Sequence, residues 1–117
     1  MFSDTKPIFI QLADKLSDDI ISGKFEQDMR IPSVRELAAQ YEINVNTAMK
    51  SIERLSSDNI IYNKRGMGYY VRQGAKEEII NRRRSDFFNK FLPLLQKNMR
   101  ELNISFGELQ EKLEENI

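Results

Sequence analysis

The sequence predicts a mainly α-helical fold with one small β-hairpin, and three observations support this. Apolar residues recur at intervals of three and four over several segments, the period of helices that bury one face. Serine or asparagine precedes several of these segments, as helix caps do. A short run rich in β-branched and aromatic residues surrounds Gly66 and Gly68, which is typical of a hairpin. At 117 residues, the chain suffices for one small domain and an appendage but not for two full cores.

The first predicted helix follows Pro7. Thr5 is expected to cap it, with Pro7 in the first helical position and Gly23 just beyond its end. The stripe that predicts it has a spacing of four residues: Ile8, Leu12, Leu16 and Ile20. We expect this helix to pack across the next two.

The second predicted helix begins at a capping box. Ser33 and Glu36 have the spacing at which each side chain can bond to the other residue's backbone N–H. Arg35 is left outside, in the first turn. The apolar positions that give the helix a buried face are Val34, Leu37, Ala38 and Tyr41.

The third predicted helix, residues 44–57, has two unlike faces and follows the second through a tight joint at residues 42–44. Asn44 stands where an N-cap is expected. The outward, polar arc is Asn46, Thr47, Lys50, Ser51 and Arg54. The inward, apolar side is Val45, Ala48, Ile52 and Leu55. The alternative is an ordinary amphipathic surface helix with no binding role. The preceding helix favours a helix-turn-helix instead.

The predicted hairpin, within residues 60–72, has a basic tip. Lys64 and Arg65 carry the charge, while Gly66 and Gly68 supply the positive φ angles that a tight turn needs. Two helices followed by a basic-tipped hairpin form a winged helix-turn-helix.

Four blocks, residues 7–12, 31–38, 44–48 and 65–71, resemble the DNA-binding domain of the GntR family of bacterial transcription regulators. The Asn-x-Asn-Thr form of the third block, the short chain and the helical tail are most similar to the YtrA-like subfamily. The resemblance implies DNA contacts at Arg35, Asn44, Asn46, Thr47, Lys50, Arg65 and Gly66. The polar arc and the charged tip add Arg54 and Lys64. Val45 departs from the family pattern, which puts a base contact there in doubt.

Composition argues against an enzyme. The chain has no cysteine or histidine, which excludes disulfides, thiol catalysis, zinc fingers and Ser-His-Asp chemistry. We therefore expect neither a metal nor a cofactor. The net charge is zero, but residues 30–72 hold seven basic and four acidic residues, which leaves room for a basic face. The sequence shows neither a signal peptide pattern nor a membrane span, so we expect a soluble cytoplasmic protein.

The tail is predicted to be helical, with a domain boundary at Gly74, giving a winged domain over residues 1–74 and a tail over residues 75–117. A long helix should run over residues 76–102, and Pro93 should kink or break it. Ser105 and Glu108 have capping-box spacing ahead of a last helix at residues 106–115.

The tail carries an apolar stripe wider than a short helical hairpin can bury by itself. Its candidate dimerisation residues are Phe87, Phe88, Phe91, Leu92, Leu94, Leu95, Met99, Leu109 and Leu113. The same chain, a second copy or an apolar small-molecule effector could cover it, and we favour a twofold homodimer. The basic run at residues 82–84 either contacts DNA phosphates or is a solvated face.

The function predicted from these features is a sequence-specific transcription regulator. We expect a dimeric repressor that binds double-stranded DNA at a palindromic operator. The subfamily resemblance implies a transport-related operon as its target. The alternative is a winged-helix protein-interaction module that does not bind DNA.

Overall fold

The computed structural model of the protein describes residues 2–117. Its elements in chain order are α1 (Ile8–Ile21), α2 (Val34–Tyr41), α3 (Val45–Ser57), β1 (Ile61–Lys64), β2 (Gly68–Val71), α4 (Ala75–Asp86), a π-helical turn (Phe87–Phe91), α5 (Leu92–Glu101) and α6 (Phe106–Glu115). The mainly helical fold with one antiparallel hairpin is confirmed. The chain forms two compact units that divide between Asn81 and Arg82, here called the N-terminal unit and the C-terminal unit.

Helix α1 begins without a side-chain cap, so the prediction for Thr5 was wrong. Pro7 itself occupies the N-cap position, and its carbonyl accepts hydrogen bonds from the N–H groups of Ile10 and Gln11. Thr5 lies two residues before that cap, and its hydroxyl pairs with the Ser3 hydroxyl at 2.7 Å. The end of the helix is as predicted, with Gly23 at φ +87° just beyond it.

The core of the N-terminal unit lies where α1, α2 and α3 meet the hairpin. Helix α1 packs on α3, and α3 also packs on α2 and β1. The large side chains with almost no solvent exposure are Leu12, Leu16, Ile31, Leu37, Ile52, Ile60, Ile61 and Val71. They come from all of these elements, so a single core holds the helix-turn-helix against the wing.

The hairpin gains a third segment. Strands β1 and β2 pair antiparallel, with Ile61 opposite Val71 and both facing the core. The chain before α2 bonds to the outer edge of β2: Ile31 donates its N–H to the Tyr69 carbonyl, and Val71 donates to Met29, both at 2.9 Å. Arg30 thereby lies next to Tyr70.

The C-terminal unit has helices but no buried core. Between Arg82 and Ile117 every side chain is at least partly exposed. The helix passes Pro93 without ending, because the turn before it widens: the Leu92 N–H bonds to the Phe87 carbonyl, five residues back. A proline cannot donate to the carbonyl four residues earlier, and the wide turn absorbs that defect.

Helix α6 begins at the predicted cap. The Ser105 hydroxyl accepts the Glu108 N–H at 3.1 Å. Over the described residues 2–117, no helix is both long enough and apolar enough to span a bilayer.

Candidate nucleic-acid interface

The tight turn between α2 and α3 sets the orientation of α3 relative to α2. Helix α2 starts in a complete capping box, since Ser33 and Glu36 each bond to the other's backbone N–H. It ends at Glu42, which adopts a left-handed conformation with φ +54°. Asn44 then caps α3, its side-chain oxygen accepting the Asn46 N–H at 2.7 Å. Both predicted caps and the tight joint are present.

Helix α3 presents a polar face to solvent. Asn44, Asn46, Lys50 and Arg54 are exposed and Thr47 is half-buried. The Lys50 ammonium lies over the Phe9 ring of α1, 6.0 Å from its centre. Arg54 is held by its own helix, with Nε 3.2 Å from a carboxylate oxygen of Asp58. Amide, hydroxyl and ammonium groups in one row can hydrogen-bond to base edges or phosphates.

Two residues of α3 lie on the opposite side from the one predicted. Ser51 is fully buried, and its hydroxyl donates to the Phe9 carbonyl at 2.7 Å. It stands at the border of the two faces, and its small hydroxyl meets its hydrogen-bonding requirement inside the protein. Val45, expected in the core, is 43% exposed, because it occupies the first turn and α3 buries its face only from Ala48 onward. The outward face of α3 therefore excludes Ser51 and includes Val45.

The wing turn combines basic side chains with two glycines at its tip. Gly66 and Gly68 have φ angles of +75° and +102°, which glycine adopts at low cost. Arg65 and Gly66 are exposed. The Lys64 ammonium lies over the Tyr70 ring at 5.1 Å, within the range of a cation–π contact.

Arg30 contacts the wing, and the sequence analysis gave it no role. Its Nε donates to the Met67 carbonyl at 3.1 Å across 37 residues of chain. Its Nη2 lies 3.5 Å from a carboxylate oxygen of Glu36. Since the bridge exists only once the wing has folded back on α2, no local sequence pattern reveals it.

Glu36 stays anionic beside this arginine. The Ser33 N–H donates to its carboxylate at 3.1 Å. This bond, with the Ser33 hydroxyl and then Arg30 as smaller causes, lowers the pKa of Glu36 below the ordinary glutamate value. The Glu36 side chain is 60% exposed, and its carboxylate serves both the cap and the arginine.

The structure brings the predicted DNA-contact residues to two sites, the exposed face of α3 and the wing turn. Arg35 lies exposed in the first turn of α2 and belongs to neither of these two elements. Over the described residues 2–117, no group of three acidic, histidine or cysteine side chains is placed to hold a metal ion.

The sequence of this chain is similar to the sequences of known proteins. Residues 10–71 match the family model described as bacterial regulatory proteins, gntR family. The HTH-type transcriptional regulator YhcF of Bacillus subtilis is 28% identical over 110 residues, covering 94% of this chain and 89% of that protein. The transcriptional repressor YtrA of the same organism is 32% identical over 74 residues, covering 63% and 57%.

Solved structures extend the likeness to the whole chain. A GntR-family regulator from Bacteroides thetaiotaomicron superposes with a TM-score of 0.79 at 41% identity, covering 92% of this chain and 94% of that one. The DNA-binding domain of AraR, in complex with operator ORR3, superposes with a TM-score of 0.55 at 30% identity, covering 61% and 87%. The winged helix-turn-helix and the regulators that share it show that this chain belongs to the GntR family of bacterial transcription regulators, in its YtrA-like branch.

Proposed function

We propose that the protein is a homodimeric repressor that binds an inverted repeat in double-stranded DNA through α3 and the wing. The observation that carries the proposal is the outward face of α3, where Asn46, Thr47 and Lys50 follow one another on a helix whose far side is locked into the core. The second helix of a helix-turn-helix lies in the major groove with its N-terminal residues against the base edges, and these three residues stand in the N-terminal half of α3.

Each group on α3 has a chemical counterpart in the groove. The Asn46 amide can pair with N6 and N7 of adenine, and the Lys50 ammonium with O6 and N7 of guanine. Thr47 can reach a base edge or a thymine methyl group. Arg54, which is tied to Asp58, is better suited to phosphate than to a base.

The other predicted residues would position the protein on the backbone. Arg35 and Asn44 stand near helix starts, where phosphate contacts commonly fall. Arg65 and Gly66 would enter or border the minor groove, with Lys64 adding charge beside them. These contacts carry affinity and register, while α3 carries sequence preference.

The C-terminal unit would provide the surface through which a second copy of the chain binds. Its exposed apolar side chains include Phe87, Phe88, Phe91, Leu94, Leu102, Phe106 and Leu113, of which the first three expose 48%, 51% and 50% of their surface. A face of this size on a unit with no buried core needs a cover, and an identical tail offers a matching one. Leu92, Leu95, Met99 and Leu109 are half-buried and would complete the interface.

A dimer would read two half-sites about one helical turn, 10–10.5 bp, apart or a multiple of that distance. The YtrA-like branch supports a transport-related operon as the target, and the repressor YtrA supports the direction of control. The upstream region of the protein's own gene is the first duplex to test.

The test is an electrophoretic mobility shift at two salt concentrations with that duplex and a scrambled copy. We expect specific retardation, and Lys50→Ala should weaken it by about 1–3 kcal/mol with reduced preference at one base position. A uniform loss across sequences, with a salt slope smaller by about one, would assign Lys50 to phosphate instead. Lys97→Ala, on α5, is the matched control and should bind normally. Equal retardation of the true and scrambled duplexes by the unmodified protein would refute the proposal.

A further inference from the structure

The wing turn and the start of α2 are joined through one side chain, that of Arg30. Its Nε donates to the Met67 carbonyl at 3.1 Å, and its Nη2 faces the Glu36 carboxylate at 3.5 Å. Met67 lies between the two glycines of the wing turn, and Glu36 belongs to the capping box of α2. The guanidinium therefore connects two segments that are distant in sequence.

Gly68 makes room for this contact. A Cβ atom built at Gly68 would lie 3.0 Å from Nε of Arg30, closer than such atoms normally approach. The absence of a side chain lets the guanidinium lie flat against the turn and reach the Met67 carbonyl. The positive φ of Gly68 and the space beside it thus serve the same contact.

The bond to the carbonyl matters more than the ion pair. The Arg30 and Glu36 side chains are 46% and 60% exposed, and ion pairs this exposed add little. A hydrogen bond from a charged donor to a backbone carbonyl is stronger, and it fixes a turn whose glycines would otherwise allow many conformations. Glu36 then orients the guanidinium for that bond.

We infer that Arg30 is a positioning residue for DNA binding, which holds the wing tip in a fixed place relative to α2. The inference rests on the proposed function. Arg65 and Gly66 at the tip, and Arg35 in the first turn of α2, are proposed backbone contacts on either side of this bridge. If the wing tip is already held at a fixed distance from α2, less conformational entropy is lost when the protein binds DNA.

The first test needs no DNA. Amide hydrogen exchange of Met67, whose N–H bonds to the Lys64 carbonyl at 2.8 Å, reports the order of the turn. Arg30→Gln should speed this exchange by about tenfold, and it should lower the midpoint of unfolding less than a core substitution does, because Arg30 lies outside the core. The matched control, Arg72→Gln, changes an exposed arginine that lies over the Tyr62 ring at the other end of the hairpin, and it should leave Met67 exchange unchanged. Unchanged exchange in Arg30→Gln would overturn the inference.

The second test separates positioning from direct contact. Arg30→Gln should lower affinity for the duplex by about tenfold in the otherwise unmodified protein, but by less than about twofold in an Arg65→Ala background. Losses that multiply would mean that Arg30 touches DNA independently, and would overturn the inference. If no variant, nor the unmodified protein, binds DNA specifically, the proposed function fails, while the exchange experiment still decides whether Arg30 orders the turn.

Discussion

The two units of the molecule use similar helices in opposite ways. In the N-terminal unit, α1, α2 and α3 bury their apolar faces against one another and the hairpin, with Leu12, Ala48 and Ile52 at 0% exposure. In the C-terminal unit, α5 and α6 have no buried side chain, and Leu94 and Leu113 expose 53% and 58% of their surface. Capping is present in both, at Ser33, Asn44 and Ser105, so local helix signals do not distinguish the units. Tertiary burial does.

This difference indicates which unit buries its apolar helix faces within a single chain. Most helix stability in proteins comes from packing one face rather than from propensity. The N-terminal unit has that packing within one chain, while the C-terminal unit lacks it. We therefore expect the first unit's stability to be independent of protein concentration and the second's to depend on it.

The largest effect should follow from opening the core of the N-terminal unit. Ile52→Ala removes a fully buried side chain from α3 and should lower the free energy of unfolding by about 2–5 kcal/mol. Chemical denaturation followed by circular dichroism measures it. Ile8→Ala, at a position 42% exposed, is the matched control and should cost much less. Equal costs at the two positions would contradict the packing described here.

The next effect concerns association of the C-terminal unit. Phe91→Ser removes an exposed ring whose centre lies 5.2 Å from that of the Phe87 ring. Burying a phenylalanine contributes about 1.5–3 kcal/mol, and a twofold dimer would lose it twice. Sedimentation velocity over a concentration series should show the dimer giving way to monomer in this variant, whereas Gln96→Ser behaves as the unmodified protein does. An unmodified protein that is monomeric throughout would contradict the dimer.

Matched caps give a smaller and sharper comparison. Ser33→Ala and Ser105→Ala each remove a hydroxyl that accepts the N–H three residues on, and each should cost about 0.5–2 kcal/mol. We expect the loss at Ser33 to be the same at every protein concentration. The loss at Ser105 should appear in the concentration-dependent transition. Thermal unfolding at two protein concentrations distinguishes them, and losses in the same transition would mean that the units unfold together.

The smallest effect is one of pH at Glu36. Since its pKa is lowered in the folded protein, the stability that it contributes is present above the ordinary glutamate pKa and is lost as the pH falls through the folded value. Titration of the Glu36 carboxyl by nuclear magnetic resonance should give a midpoint below that of an unstructured glutamate. The midpoint should rise toward the ordinary value in Arg30→Gln. A midpoint at or above the ordinary value would contradict the capping box.

Local signals predicted much of the fold. Capping at Ser33 and Asn44, positive φ at Gly66, and the periodic apolar positions each depend on residues within a few places of one another, which a sequence displays directly. Asn59, just before the first strand of the wing, takes the left-handed conformation at φ +62°, as asparagine tolerates.

The corrections at Thr5 and Val45 concern helix ends, whereas the burial of Ser51 and the role of Arg30 depend on neighbours distant in sequence. Ser51 is buried because the Phe9 carbonyl, 42 residues away, accepts its proton. Arg30 acquires its role only across the folded wing. At Pro93 the sequence left a kink and a break open, and the helix continues through a π-helical turn and does not break. The DNA-contact residues and the dimer face remain predictions, and the experiments above test them.

The π-helical turn at residues 87–91 also sets the direction in which the side chains of α5 point around the helix axis. A π-helical turn takes in about one residue more than an α-helical turn, so the side chains of α5 are rotated by about 100° from where an uninterrupted α-helix would place them. Because the wide turn takes up that extra residue, losing one residue at this point would return the segment to α-helical geometry and leave Leu94, Leu95 and Met99 facing the same way relative to the helix before the turn. A deletion within α5 itself would instead rotate every later side chain of that helix by about 100°, so the helix tolerates a change of length at the wide turn better than beyond it.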